Sequence, residues 1–149
     1  MNTKSQGRSR SEARQLLCQA LYQWQLTGHE LDELLDQFAQ RDEFKQIDAG
    51  YFKTLLTDVL DREAELTALI AAYADRSLQE LDPLGRAFLL IGLAELKLRP
   101  KVPTKVVINE AIKLAKLYGP TDGHRFVNAL LDRAARTLRE QGADSDGRV

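Results

Sequence analysis

Three consecutive residues, His124, Arg125 and Phe126, place an imidazole, a cation and an aromatic ring at the predicted start of a helix. Guanidinium groups pair with phosphates, free amides at a helix N-terminus attract anions, and aromatic rings stack on unpaired bases. This combination predicts contact with a nucleic-acid strand. Alternatively, Phe126 lies at the rim of the core, because its position is about 100° from that of apolar Val127 around the helix.

A second group of the same chemistry lies near the N-terminus. Arg8, Arg10 and Arg14 accompany the first predicted helix, and Tyr22 projects about 160° from the middle of the apolar stripe of that helix. Either another segment covers the Tyr22 ring, or the ring is an exposed contact residue. Arginines that lead to an exposed tyrosine suit RNA, because guanidinium groups pair with phosphates and rings stack on bases.

A basic helix face precedes the first group. Lys105, Asn109, Lys113 and Lys116 fall within a sector roughly 80° wide, away from the apolar stripe of their helix. For any one of these lysines, a solvated helix face is the plainer interpretation. A nucleic-acid contact is the alternative interpretation. The helix start at His124 to Phe126 favours it, because the N-terminal amides of that helix add an anion-binding site next to the lysines.

The net charge of −1 conceals a strong segregation of charge along the chain. Residues 30–82 carry fourteen acidic side chains against five basic ones, whereas residues 101–139 carry eight basic against three acidic. Such segregation predicts two kinds of partner, one polyanionic and one basic. The alternative is that folding interleaves the segments and cancels their fields.

The chain carries few groups suited to catalysis or metal binding. His29 and His124 are its only histidines, and no HExxH, CxxC, glycine-rich phosphate loop or GxSxG occurs. Cys18 has no histidine near it in sequence, which favours a packing role. We therefore expect neither an enzyme nor a metal or cofactor site.

Composition indicates a globular domain. The 149 residues are 44% hydrophobic and 29% charged, enough to bury a sizeable core in one domain. No apolar run reaches membrane-spanning length, and the N-terminus lacks the apolar segment of a signal peptide. The single cysteine excludes an internal disulfide and suits a reducing compartment, so we expect a cytoplasmic protein.

The elements that must position these residues are all predicted to be helices. Residues 1–8 are predicted as a mobile basic arm, residues 9–139 as the helical domain, and residues 140–149 as a disordered tail. Capping boxes at Ser9–Glu12 and at Thr27–Glu30 predict the first two helix starts. A loop is expected from Arg41 to Ile47.

The later helix boundaries follow from caps, prolines and glycines. Asp48 caps a segment whose apolar face continues to Tyr73, either as one long helix or as two with a break near Asp61 to Glu65. Ser77 to Leu81 is predicted as a turn, and Asp82 followed by proline as a strong helix start. The remaining boundary residues are Thr104 as an N-cap, Gly119 and Pro120 as a stop, and Asp122 as the last N-cap.

The predicted architecture is all-α, with about seven helices in two small three-helix bundles within one compact domain. In addition, INEAIKLAKLYG followed by DGHRFVNALLD resembles the C-terminal signature of the NusB family of bacterial transcription antitermination factors. The stretches EARQLLCQALYQWQL and DPLGRAFLLIGLAEL extend the similarity from about Ser9 to Leu138.

The resemblance implies a non-catalytic protein that binds single-stranded boxA RNA together with the ribosomal protein NusE, within the transcription elongation complex. The RNA-binding residues it implies are Arg8, Arg10, Arg14, Tyr22, Asp122, His124, Arg125 and Phe126. It places the NusE face at the segment from Glu80 to Gly85, with Glu80 and Asp82 as contacts. Gly85 stands where relatives often carry an acidic residue. The resemblance leaves open whether the protein is a monomer or a homodimer.

Two other function classes compete with this prediction. NusB-like domains also occur at the N-terminus of RNA cytosine methyltransferases, although the chain ends at Val149 without such an enzyme domain. A purely protein-binding helical scaffold with an incidental basic face is the third possibility.

Overall fold

Apolar residues at helical spacing form helices throughout the computed structural model, which describes residues 3–74, 81–120 and 122–140. Within these ranges there are seven α-helices and one short 3-10 helix. The α-helices are α1 Thr3–Thr27, α2 Leu31–Ala39, α3 Ala49–Asp61, α4 Glu63–Tyr73, α5 Pro83–Leu98, α6 Thr104–Tyr118 and α7 Gly123–Glu140; the 3-10 helix is Asp42–Lys45. The all-α prediction is confirmed.

The chain divides into two compact units, Met1–Asp61 and Arg62–Val149. The first contains α1, α2 and α3, as predicted for one three-helix bundle. The second contains α4 to α7, one helix more than predicted. The extra helix arises because the segment after Asp48 is broken: α3 ends at Asp61, and Arg62 has the non-helical angles φ −112° and ψ 25° before α4.

The first unit is built around the apolar stripe of α1. Leu17 and Leu21 of α1, Phe38 of α2 and Phe52 of α3 are almost completely buried. The ring centroids of Phe38 and Phe52 are 5.9 Å apart, and Phe44 of the 3-10 helix meets Phe52 edge-on at 5.5 Å. The loop predicted from Arg41 to Ile47 therefore contains a helical turn that contributes to this core.

Two predicted helix starts in the first unit are wrong. Helix α1 begins at Thr3, so residues 3–8 of the predicted arm are helical, and the Ser9 hydroxyl donates to the Gln6 carbonyl instead of capping. The Thr27–Glu30 box is replaced by a bond one turn later, from the Glu30 amide to the Glu33 carboxylate at 2.9 Å. The Asp48 cap is confirmed, because Asp48 Oδ1 accepts from the Tyr51 amide at 3.0 Å.

Helix α5 forms the centre of the second unit. Eleven of its sixteen residues are buried, and it packs against α4, α6 and α7. Asp82 caps it as predicted, because Asp82 Oδ1 accepts from the Gly85 amide at 2.7 Å. At its other end the buried guanidinium of Arg139 donates to the carbonyls of Leu96 and Glu95, at 2.8 and 3.1 Å. The Glu95 carbonyl also accepts from the Arg99 amide, whereas the Leu96 carbonyl is one that a helix C-terminus leaves free.

Helix α6 ends at Tyr118, directly before the predicted stop at Gly119 and Pro120, but its start differs from prediction. Its N-cap residue is Pro103, and Thr104 is already its first helical residue. Gly119 follows the helix with φ −93°, so this glycine is not required for a left-handed conformation. It is required for space, because a Cβ there would lie 2.8 Å from the Ala115 carbonyl oxygen and 3.3 Å from the Phe88 ring.

Candidate RNA-binding surfaces

The corner between α6 and α7 is held by short backbone hydrogen bonds. The Gly123 amide donates to the Pro120 carbonyl at 2.9 Å, and the Arg125 amide donates to the Asp122 carbonyl at 3.2 Å. Because Gly119 also packs against Ala115 without a side chain, the chain reverses direction in a few residues. The corner therefore places the first turn of α7 next to the last turn of α6.

Four predicted RNA-binding residues lie at this corner, one directly before α7 and three in the first turn of α7. They differ in exposure. Asp122 and Arg125 are exposed, whereas His124 and Phe126 are half-buried. Nδ1 of His124 is enclosed and has no hydrogen-bond partner among the described residues, which leaves only the other edge of the ring for a ligand. Arg125 forms no ion pair within the described part of the chain. Its guanidinium is therefore available to pair with a phosphate.

Phe126 is both a rim residue of the core and a wall of a surface groove. The groove has a volume of about 170 Å³. Its lining residues are Leu81, Asp82, Gly85, Phe88, Pro120, Gly123, Phe126 and Val127. The groove thus joins the predicted RNA corner to part of the predicted protein-partner segment. The other residue predicted for that segment, Glu80, and most of the predicted turn before Leu81 lie outside the described residues.

Gly85, which lines the groove, has little space for a side chain. A Cβ at Gly85 would lie 2.9 Å from both Asp82 Oδ1 and Leu81 Cδ1. A side chain at this position would therefore require the side chain of Leu81 or Asp82, both of which line the groove, to shift.

In the first unit, α1 presents Arg8 and Tyr22 on one face. Both residues are exposed, the Tyr22 side chain at 38%, so the alternative of a covered Tyr22 ring is wrong. Because α1 is continuous from Thr3 to Thr27, the separation of fourteen positions between Arg8 and Tyr22 corresponds to about 21 Å along the helix axis. One extended strand of several nucleotides could contact both ends.

The other two arginines of this group have partners in the fold. Cζ of Arg10 lies 4.2 Å from the centroid of the Tyr51 ring, and its guanidinium is 3.7 Å from the Asp48 carboxylate. Arg14 is only 3% exposed, and its Cζ lies 5.6 Å from the same ring centroid. The structure therefore does not support direct contact between Arg14 and RNA. Sequence reasoning missed Tyr51 as the partner, since no local pattern links α1 to α3.

Cys18, the only cysteine of the chain, lies in the core. Cys18 is completely buried, and this burial raises the pKa of its thiol to about 12, consistent with a packing role. No group of three or more potential metal ligands occurs within residues 3–74, 81–120 and 122–140. None of the helices described above is both long and apolar enough to cross a bilayer.

Comparison with known proteins identifies the family. The model of the NusB family matches residues 11–136. Transcription antitermination protein NusB of Pseudomonas savastanoi pv. phaseolicola is 45% identical over 137 residues, covering 92% of this chain and 83% of that protein. The protein of the same name from Yersinia pestis is 44% identical over 133 residues, covering 89% of this chain and 96% of that protein.

Solved structures show the same similarity. A crystal form of T. maritima NusB superposes with a TM-score of 0.78 at 27% identity, covering 90% of this chain and 96% of that one. Antitermination factor NusB in a complex with NusE and double-stranded RNA gives a TM-score of 0.79 at 27% identity, covering 87% of this chain and 98% of that one. The signature residues, the helical fold and these similarities agree, and the chain belongs to the NusB family.

Proposed function

We propose that this protein is a non-catalytic transcription antitermination factor that binds boxA-type RNA together with NusE. Its relatives carry the name of transcription antitermination proteins, and a protein of similar fold forms a complex with NusE and RNA. The observation that carries the proposal is the α6–α7 corner, where exposed Arg125 lies beside a phenylalanine that opens onto a groove. A cation beside an accessible ring is the arrangement that holds a phosphate and stacks its base.

The RNA surface that we propose has two parts. In the second unit, Arg125 pairs with a phosphate, Phe126 stacks on a base, and Asp122 and His124 complete the corner. In the first unit, Arg8 and Tyr22 provide the same pair of chemistries on one face of α1. We propose that each part contacts RNA.

Arg10 and Arg14 have different places in this proposal. The side chain of Arg10 is 42% exposed, so it can add a phosphate contact while it stays over Tyr51. Arg14 is buried beside Tyr51 and supports the helix that carries Arg8 and Tyr22. We therefore omit Arg14 from the contact surface.

NusE is the proposed protein partner, and the proposed contacts are Glu80 and the α5 cap residue Asp82. The acidic middle of the chain supports this assignment, since a ribosomal protein that binds RNA carries basic surface. Asp82 lines the same groove as Phe126, which would bring NusE close to the bound RNA. The transcription elongation complex and the cytoplasm are then the setting in which the protein acts.

Fluorescence titration of a labelled boxA-like RNA, with and without NusE, tests the proposal. We expect NusE to tighten RNA binding, and Phe126→Ala to weaken it about tenfold, since one stacked base contributes about 1–3 kcal/mol. Phe126→Leu is the matched control for the core: it keeps an apolar side chain at the rim but removes the stacking ring. Binding by Phe126→Leu at wild-type strength would exclude stacking at the corner, and no binding by the wild type would exclude the function.

The same titration compares single-stranded with double-stranded RNA of equal length. The Phe126 ring can stack only on a base that is free of its partner strand, so we expect the single strand to bind more tightly. Equal affinity for both forms, with no loss in Phe126→Ala, would indicate that the corner contacts only the backbone.

A further inference from the structure

The exposed face of α6 carries positive charge that the fold does not use. Lys105, Asn109, Lys113 and Lys116 are all exposed, while the opposite side of the helix buries Val107, Ala111, Leu114 and Ala115. Lys113 pairs with Glu110 at 3.1 Å. Lys105 and Lys116 form no ion pair within the described residues, so two of the three lysine charges on this face are uncompensated.

Helix stability does not account for this charge. A cation in the last turn, such as Lys116, is favoured by the helix dipole, but a cation in the first turn is disfavoured. Lys105 lies in the first turn of α6, which contains no acidic residue. Its position therefore costs the helix some stability and requires another explanation.

The face has the length and location of a track for a nucleic-acid backbone. Lys105 and Lys116 are eleven residues apart, about 16 Å along the helix axis. Successive phosphates of one stacked strand rise by about 3.4 Å, so this length corresponds to about five phosphate-to-phosphate steps. Lys116 also lies in the last turn of α6, immediately before the corner that carries Arg125 and Phe126.

We propose that this lysine face (Lys105, Asn109, Lys113 and Lys116) binds the backbone phosphates of RNA nucleotides that flank the segment held at the α6–α7 corner. The inference rests on the proposed function and extends its binding site along α6. The contacts are electrostatic and carry no base specificity, because ammonium groups bind phosphates without contacting base edges. Asn109 adds an uncharged hydrogen-bonding group midway along the face.

Charge decides between RNA and a protein as the occupant. Val106 and Leu117, which are 41% and 54% exposed, flank the lysine face on one side and could contact a protein. A row of lysines with uncompensated charge, however, matches a polyanion better than an apolar partner surface. RNA is therefore the occupant that we propose, and a protein partner is an alternative outcome of the test.

The experiment measures RNA affinity against salt concentration for one short RNA and two long RNAs. The short RNA contains only the boxA-like segment, and the long RNAs extend it by several nucleotides at one end or the other. For the wild type we expect one extension to tighten binding and to steepen the dependence of log K on log salt. The double variant Lys105→Gln with Lys116→Gln should bind the short RNA normally but lose about 1.4 from the slope on that long RNA, about 0.7 per contact.

A matched control separates local contacts from net charge. Lys45→Gln with Lys53→Gln removes the same two charges from exposed positions in the acidic segment, and glutamine preserves helicity in both variants. An equal slope change in the control pair, or no change in the Lys105 and Lys116 pair, would overturn the inference. The inference would also be overturned if the double variant of Lys105 and Lys116 lost NusE binding or self-association while its salt dependence of RNA binding stayed unchanged. Failure of the short RNA to bind the wild type would instead refute the proposed function.

Discussion

Asp82 and Phe126 line one groove, although one caps the start of α5 and the other lies in the first turn of α7. Sequence analysis assigned them to different partners, a protein and an RNA. Their shared groove means that a ligand at one residue changes the surroundings of the other. Cooperative binding of NusE and RNA would then have a direct structural basis in the second unit.

Substitution of Asp82 should separate its cap from its charge. Asp82→Ala removes the acceptor for the Gly85 amide, so we expect the free energy of unfolding to fall by about 1 kcal/mol. Asp82→Asn keeps an acceptor oxygen and should retain that stability while it loses the negative charge. Urea denaturation and NusE titration measure both effects. Wild-type NusE affinity in Asp82→Asn would remove this carboxylate from the proposed interface.

Truncation of Arg14 should lower stability, whereas truncation of Arg8 should weaken RNA binding. Arg14 is buried beside Tyr51, so Arg14→Ala should lower the free energy of unfolding by about 1–3 kcal/mol. Arg8 is exposed, so Arg8→Ala should leave stability unchanged and weaken RNA binding most strongly at low salt. Chemical denaturation and RNA titration of both variants provide the comparison. If Arg14→Ala lost RNA affinity but kept full stability, Arg14 would have to be included among the direct RNA contacts.

Gly119 should be intolerant of a side chain because of space. In Gly119→Ala the new Cβ would meet the Ala115 carbonyl oxygen at 2.8 Å, so we expect a loss of about 1–3 kcal/mol and weaker RNA binding as the corner shifts. Gly50→Ala is the matched control, because Gly50 lies in helix α3 and its new Cβ would approach the Asp48 Oδ1 atom only to 3.8 Å. That change should stabilise the protein by about 0.5–1 kcal/mol. Thermal unfolding of the pair distinguishes crowding at Gly119 from a general effect of adding a methyl group.

Cys18 should make stability depend on pH in alkaline solution. Burial raises the pKa of its thiol to about 12, whereas in the unfolded chain the pKa returns to near the ordinary value of 9.0. Between these values the unfolded state has lost a proton that the native state retains. The free energy of unfolding therefore falls as pH rises, by up to about 1.4 kcal/mol per pH unit.

Cys18→Ala isolates this contribution. The difference in unfolding free energy between wild type and variant should be constant below about pH 8 and shift in favour of the variant from about pH 9 to about pH 12. Urea denaturation across this range measures it. Parallel pH profiles for the two proteins would show that the thiol titrates normally in the native state.

Local signals in the sequence were sufficient where a single residue decides a local geometry. Asp82 followed by proline predicted the start of α5, and Asp48 predicted the cap of α3, because a carboxylate that bonds an amide three residues later depends only on nearby chain. The same signals failed at Ser9 and Thr27. Helix α1 runs through Ser9, and at the start of α2 the pair Glu30 and Glu33 forms the bond that was predicted for Thr27 and Glu30.

The sequence alone determined the helical class, the NusB signature and the chemistry of the α6–α7 corner, since these depend on residue type and short spacing. Tertiary structure decided which candidate residues are accessible. It buried Arg14 and engaged Arg10 against Tyr51, exposed Tyr22, and placed Asp82 on one groove with Phe126. The physical reason is that exposure and pairing depend on which helices pack together, and contacts between residues distant in the chain leave no local pattern to detect.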